Sequence, residues 1–314
     1  MAKGDVCFSL KGCFSWGFTS KKPTKGEKKA AGKGAAADKK DPKKSAAVGD
    51  QDDDELRKLS KFITLRNLDL EICKGEFVCI IGDVGSGKSS MLQAVIGDLI
   101  HIPQTEIDDF GGLEHAGTQE EFDRLKNIVT SRDFDCGKEK PIKVRGSVSY
   151  VEQGSWIQNK TIQDNILFNE PYDAHRYAQT IKKCQLERDL EILPAGDSTE
   201  IGEKGINLSG GQKARISLAR AVYADTDIIM MDDPISALDA NVRKQIFKHV
   251  FQGMLKDKTR ILVTHAIDFL HLSDKIVVLK DGQIQACGTF EGLSNNKHLQ
   301  DVLAINKRNL EESK

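Results

Sequence analysis

The sequence predicts an α/β fold with a parallel core sheet and antiparallel strands added at its start and end. Three observations carry that expectation. Glu76-Phe-Val-Cys-Ile-Ile81, Asp227-Ile-Ile-Met-Met-Asp232 and Arg260-Ile-Leu-Val-Thr264 are short apolar runs, as expected of strands buried on both faces. Segments with apolar residues at helical spacing alternate with them, and that alternation favours a parallel sheet. A glycine-rich loop joins the first run to the first helical segment. The chain of 314 residues is long enough for one large domain with tails or two small ones, and its 39% apolar residues can supply a core.

Residues 5–16 read as a short strand with aromatic character. Residues 17–60 are rich in Lys, Ala, Gly and Asp and almost devoid of large apolar side chains. Such a stretch cannot bury enough surface to offset its ordering entropy, so it reads as a disordered lysine-rich insertion. The main domain is assigned to 61–296, starting at Phe62-Ile-Thr-Leu and continuing through Leu68–Ile72 and a Lys74-Gly75 turn. Lys88 to Leu99 reads as a helix. Residues 101–145 are irregular and read as a second insertion, with one helical stretch near Gln119–Val129. Gly146–Val151 is a strand, and the pattern from Thr161 to Leu193 is helical. Ser209–Tyr223 and Asn241–Leu255 are further helices, the second amphipathic. Lys275–Leu279 and Gln283–Cys287 flank Asp281-Gly282, a strong hairpin signal. A polar helix or tail closes the chain at 297–314.

Composition excludes several classes. Lys and Arg number 46 against 47 Asp and Glu, so the chain lacks the charge footprint of a nucleic-acid binder. The lysine-rich stretch at 21–44 has no hydrophobic anchor and reads as solvated rather than lipid-bound. Seven cysteines include no Cys-x-x-Cys pair, which argues against zinc and for a reducing compartment. No apolar run approaches the ~18 residues a membrane span needs, and the first residues carry no signal-peptide pattern.

The chemistry concentrates in a few segments. Gly82-Asp83-Val84-Gly85-Ser86-Gly87-Lys88-Ser89, with Ser90, lies between a buried strand and a helix. Glycines at that spacing let the backbone wrap a triphosphate with its N–H groups inward, and the helix adds its positive end. Lys88 would reach the outer phosphates, and the Ser89 hydroxyl would ligate Mg²⁺. Asp232, ending an apolar strand, can hold the Mg²⁺ shell opposite Ser89. Asp233 stands where a general base could polarise the attacking water; its bland role is capping before Pro234. His265, after the third buried run, can contact the terminal phosphate. Gln153, after the Gly146–Val151 strand, can offer its amide oxygen to Mg²⁺ or the water. Trp16 can stack on an adenine ring, with simple packing as the alternative. Leu208-Ser209-Gly210-Gly211-Gln212 opens a helix and forms a second anion site. Since the chain already has a phosphate loop, this second site is read as acting on a partner's nucleotide.

In this order, Gly82–Ser89, Gln153, Leu208–Gln212, Ile228–Asp233, Ser236-Ala-Leu-Asp239 and His265 resemble the motif series of an ATP-binding-cassette (ABC) nucleotide-binding domain. Trp156-Ile-Gln-Asn159, Asn165-Ile-Leu-Phe168 and Thr199–Gln212 are similar to the first such domain of the multidrug-resistance-associated (C) subfamily of transporters. The resemblance covers 5–16, 62–100 and 146–290 and leaves out both insertions. It implies a P-loop NTPase-type fold with a parallel core sheet, an antiparallel β subdomain and a helical signature subdomain. It also implies ATP and Mg²⁺ as ligands, a second cassette and transmembrane domains as partners, and a place on the cytoplasmic side of a membrane. Trp16 would stack on adenine, Gln153 would lie in the loop facing the membrane domains, and Ser209, Gly210, Gly211 and Gln212 would engage ATP held by the partner cassette. Asp239 would lie in the loop crossing the dimer interface.

Two departures from the family pattern stand out. Asp233 occupies the place of the usual catalytic glutamate, which implies a slow or inactive site at this chain's own phosphate loop. Glu152 stands where proline commonly precedes the glutamine. The leading expectation is the nucleotide-binding cassette of an exporter. A regulatory ATP sensor in a channel or receptor complex is the first alternative. A soluble non-transport ABC ATPase ranks below it, because only one motif set is present and 101–145 shows no sustained heptads.

Overall fold

The computed structural model describes residues 5–15, 63–113, 120–121, 124, 141–202 and 207–312. Trp16, the 17–60 insertion and most of the 119–129 helical stretch lie outside them. The chain begins β1 (Val6–Ser15), β2 (Leu65–Cys73), β3 (Phe77–Ile81), α1 (Lys88–Ile96), β4 (Ile100–Ile102), α2 (Gln104–Asp109), β5 (Ile142–Val144) and β6 (Val148–Val151). It continues α3 (Ile162–Leu167), α4 (Ala174–Lys183), α5 (Glu187–Ile192), α6 (Gly210–Tyr223), β7 (Ile228–Asp232) and α7 (Ala240–Ile246). It ends β8 (Thr259–Val263), β9 (Lys275–Lys280), β10 (Gln283–Gly288) and α8 (Lys297–Glu312).

The predicted α/β class holds. One sheet has the order β10-β9-β3-β8-β7-β6, parallel from β9 to β6, with β10 added antiparallel through the Asp281-Gly282 hairpin. All residues of β3, β7 and β8 are buried, as a strand covered on both faces requires. β3 divides its side chains between two cores. Phe77, Cys79 and Ile81 face the helices and meet Tyr223 and Phe247. Val78 and Ile80 face the second sheet and α1, meeting Phe14, Leu65 and Met91.

The second sheet is antiparallel and centred on β1, which pairs with β2 along one edge. Its other edge is shared by β4, near Ser15, and β5, near Phe8. The region expected to be irregular from 101 to 145 therefore leaves and returns through paired strands. After β4, α2 packs Ile107 and Phe110 on Cys13, Ile63 and Ile102. Strands of three residues are too short to carry a readable alternation, and the open edge of β1 supplies their hydrogen bonds instead.

Three helical expectations are corrected. α1 stops at Ile96 rather than Leu99, because Gly97 takes a left-handed φ of 92° and caps it through its backbone N–H. The 161–193 segment is not continuous: Phe168 and Asn169 are left-handed, Asp173 starts α4 by accepting from the Arg176 N–H, and left-handed Gln185 separates α4 from α5. The helix expected over 241–255 passes from α7 into a π-helix, Phe247–Met254. Phe247 there stacks on Phe269 at 4.1 Å and, with Phe251, flanks Phe77.

Candidate functional site

In a parallel sheet, ligands gather beyond the carboxyl ends of the strands. Four adjacent strands end on the same side here, and each is followed by chemistry. β3 runs into Gly82–Ser90, β8 into Thr264-His265, β7 ends at Asp232-Asp233, and β6 is followed by Glu152-Gln153. Val84, Gly85, Gly87, Lys88, Ser89, Ser90, Gln153, Asp232, Asp233 and His265 accordingly line one cleft of about 230 Å³, together with Thr64 and Val263.

The loop is shaped by close approach of the backbone. Gly82 has φ +154°, and a Cβ there would lie 2.1 Å from the Leu279 carbonyl oxygen and 2.7 Å from Ser86 Oγ. Gly282 of the hairpin donates its N–H to the Ser86 carbonyl at 2.9 Å and accepts from the Arg66 N–H, so the hairpin braces the loop from behind. Gly87, left-handed at φ 100°, starts α1 without a side-chain cap, which leaves the helix's N–H end turned to the cleft. Ser86 Oγ is buried and has no hydrogen-bond partner among the described residues.

The electrostatics are poised. Lys88 is buried, and its Nζ donates to the carbonyls of Gly82 (2.9 Å) and Asp83 (2.7 Å). Burial lowers its pKa, opposed by the charges of Asp232, Asp233 and Asp83. Burial also raises the Asp232 pKa, helped by Asp233 and opposed by the Ser89 hydroxyl's hydrogen bond and by Lys88. Asp233, the next residue, is buried at a left-handed φ of 48°, with its N–H on the Val263 carbonyl at 2.9 Å. The non-glycine αL turn ends β7 abruptly and leaves both carboxylates on the cleft.

Ser209, Gly210, Gly211 and Gln212 are not part of that cleft. They start α6 with a full capping box: Ser209 Oγ accepts the Gln212 N–H (3.2 Å), and Gln212 Oε1 accepts the Ser209 N–H (2.8 Å). Among the described residues, a Cβ on Gly210 would meet nothing within 4 Å, so that residue faces open space, whereas one on Gly211 would lie 3.3 Å from the Ala237 carbonyl oxygen.

Several residues escaped the sequence reading. Thr64 reaches the cleft only because β2 lies under the hairpin, and no local signal marks it. Arg220 is buried on α6; it donates to the Asn165 backbone and side-chain oxygens and lies 4.0 Å over the Trp156 ring. It locks the segment after Gln153 to the signature helix, and burial lowers its pKa to about 10. A cation inside the apolar pattern Ile216–Tyr223 was the available signal.

The family described as ABC transporter matches residues 65–236. ATP-binding cassette sub-family C member 3 of Homo sapiens is 45% identical over 232 residues, which are 73% of this chain and 13% of that protein. Multidrug resistance protein mrp-7 of Caenorhabditis elegans is 44% identical over 238 residues, 75% of this chain and 13% of that protein. ABC transporter C family member 8 of Dictyostelium discoideum is 45% identical over 232 residues, 73% of this chain and 12% of that protein. The chain thus spans 12–13% of the length of these relatives. No helix among the described residues is long and apolar enough to cross a membrane. With a phosphate-type loop, strand-end carboxylates and a capped Ser-Gly-Gly turn in one such fold, the chain belongs to the ABC transporter family, as a nucleotide-binding cassette of the C-subfamily type.

Proposed function

We propose that the chain binds MgATP in the Gly82–Ser90 cleft and closes, with a second cassette, into an ATP-dependent clamp that drives transmembrane domains from the cytoplasmic side of a membrane. The observation that carries this reading is the convergence of Lys88, Ser89, Gln153, Asp232, Asp233 and His265, from four neighbouring strand ends, on one cleft. The residues suit the ligand. The uncapped start of α1, the buried Ser86 hydroxyl and Lys88 offer donors to phosphate oxygens, Lys88 exchanging backbone carbonyls for them. Ser89 and Asp232 would hold Mg²⁺, with Gln153 on the same wall. No group of three or more His, Cys, Asp or Glu among the described residues can hold a metal. As is usual for this ion, Mg²⁺ would complete its shell with phosphate oxygens and water. When bound, it neutralises charge on the outer phosphates.

Asp233 takes the general-base role at this cleft and is one methylene shorter than glutamate, so its carboxylate reaches the attacking water poorly and hydrolysis here is slow. The Ser209–Gln212 turn serves the ATP held by the partner cassette: its Gly210 faces open space, and it presents the N-terminal end of α6. A groove of about 300 Å³ fits the transmembrane domains as partner. Half-exposed Trp156 and Phe168 line it with Tyr150, Leu167 and Thr226.

One experiment tests these roles. MgATP binding and hydrolysis are measured for the wild type, Lys88→Ala and Asp233→Glu, the last in the two-cassette assembly. Lys88→Ala abolishes binding and Asp233→Glu raises hydrolysis at least ~10-fold, a part of the ~10²–10⁴-fold that a fully positioned base contributes. Tight binding by Lys88→Ala would refute the phosphate-loop assignment, and an unchanged rate for Asp233→Glu would refute the short-base account.

A further inference from the structure

We propose that Asp189, on α5, is a positioning residue that sets the signature turn for its ligand; this rests on the reading above that Ser209 meets a nucleotide. The Asp189 carboxylate bridges two groups of α6. Oδ1 accepts from Gln212 Nε2 at 3.0 Å, and Oδ2 accepts from Arg215 Nη2 at 2.6 Å. The ion pair is largely shielded, its side chains 16% and 12% exposed. Arg215 Nε is buried without a hydrogen-bond partner among the described residues, so the guanidinium leans on this carboxylate.

The bridge decides which way the Gln212 amide points. A carboxylate only accepts, so Gln212 must turn Nε2 toward Asp189. Oε1 then faces the Ser209 N–H and accepts it at 2.8 Å. The Gln212 N–H in turn goes to Ser209 Oγ. With an Oγ lone pair so occupied, the Ser209 hydroxyl proton is free to be donated outward, beside the first N–H groups of α6. An anion meeting this turn finds only donors. Reversed, the amide would aim an NH₂ at the Ser209 N–H, and the box would open. Without the Asp189 carboxylate, Arg215 would also lose its partner, next to Gly211, from whose Cβ position Nη1 lies 3.8 Å away. Nothing in the sequence marks Asp189, which sits on a short helix with no buried residue.

Amide hydrogen exchange by NMR on the full chain tests the bridge without any ligand. Asp189→Asn, whose side-chain amide offers a donor as well as an acceptor and so permits the reversed Gln212 amide, speeds exchange of the Ser209 N–H at least ~10-fold, an order-of-magnitude expectation for an opened capping box, while the Gly82–Ser90 amides and MgATP affinity of the chain stay as they were. Asp189→Glu, which keeps a carboxylate, restores part of the protection. Unchanged Ser209 exchange in Asp189→Asn overturns the inference. In the two-cassette assembly, Asp189→Asn weakens ATP-dependent association as Ser209→Ala does. If Ser209→Ala weakens it and Asp189→Asn leaves it intact, the positioning role is overturned. An assembly indifferent to Ser209→Ala refutes the nucleotide-clamp reading, and the exchange result still decides the bridge.

Discussion

The starts of α1 and α6 use the same ingredients, glycines and serines at a helix N-terminus, and wire them in opposite ways. α1 begins at left-handed Gly87 with no side-chain cap, and the surrounding fold presses in on its loop. α6 begins at Ser209 with its capping box closed, and Gly210 faces open space. The first is a socket whose shape is imposed by distant strands and whose helix donors point into the cleft. The second is a self-contained turn, held by its own side chains and by Asp189, that presents a surface outward. Under the proposed function, the first arrangement holds a ligand within the chain and the second meets a ligand brought by a partner.

The sharpest way to break that contrast is Gly82→Ala. Its methyl would sit 2.1 Å from the Leu279 carbonyl oxygen, which belongs to a core strand and cannot yield. The loop must open, and MgATP affinity falls at least ~100-fold, about 2.7 kcal/mol, by calorimetry. Exchange protection at Ser209 stays unchanged, because no part of the capping box touches the loop. Loss of protection at both sites would mean that the two regions are not independently wired.

A smaller effect comes from the charge buried in the socket. Burial and the neighbouring Asp233 raise the folded-state pKa of Asp232 above its ordinary 3.8. The folded protein therefore prefers the neutral carboxyl. The stability from this group is fully present below 3.8 and is lost as pH rises through the raised value. Ionised Asp232 is thus a standing cost to the ligand-free fold at neutral pH. Asp232→Asn raises the thermal unfolding midpoint at neutral pH and weakens Mg²⁺-dependent nucleotide binding. The gain shrinks on acidification and vanishes below 3.8. A gain independent of pH would assign it to packing instead of charge. Sites that cost stability for the sake of a ligand are a common trade in binding clefts.

How much of this was legible differs between the two regions. β3, β7 and β8 announce themselves as short apolar runs, and each places its polar group at the strand's end, so the positions of Lys88, Asp232 and His265 stand out in the sequence. What the sequence does not contain is the strand order β3-β8-β7-β6, which alone makes those residues neighbours. The brace by Gly282 is similarly invisible, since it joins residues almost two hundred positions apart. At the signature turn the capping box is readable, as Ser-x-x-Gln before an apolar helix. Its support is not: Asp189 is one of several acidic residues on a polar helix, and only tertiary contact distinguishes it from Glu187 or Glu191. The strands β4 and β5 were missed because three residues cannot show a period, and the breaks at Phe168 and Gln185 because neither residue type favours positive φ.

The smallest effect repeats the glycine test on the other side of the comparison. Gly210 has ordinary φ, is the first residue of α6, and would place a methyl against nothing within 4 Å. Alanine restricts the unfolded chain more than glycine and suits a helix better, so Gly210→Ala stabilises the isolated chain by about 0.5 kcal/mol in urea unfolding. MgATP affinity of the chain's own loop does not change. The methyl nonetheless occupies the open face where a partner's nucleotide is proposed to dock, so ATP-dependent association of the two cassettes weakens while the lone chain becomes more stable. A single substitution that improves one state and impairs the other separates a surface kept open for contact from one that is merely exposed. Equal association for Gly210→Ala and the wild type would place the nucleotide contact elsewhere on α6.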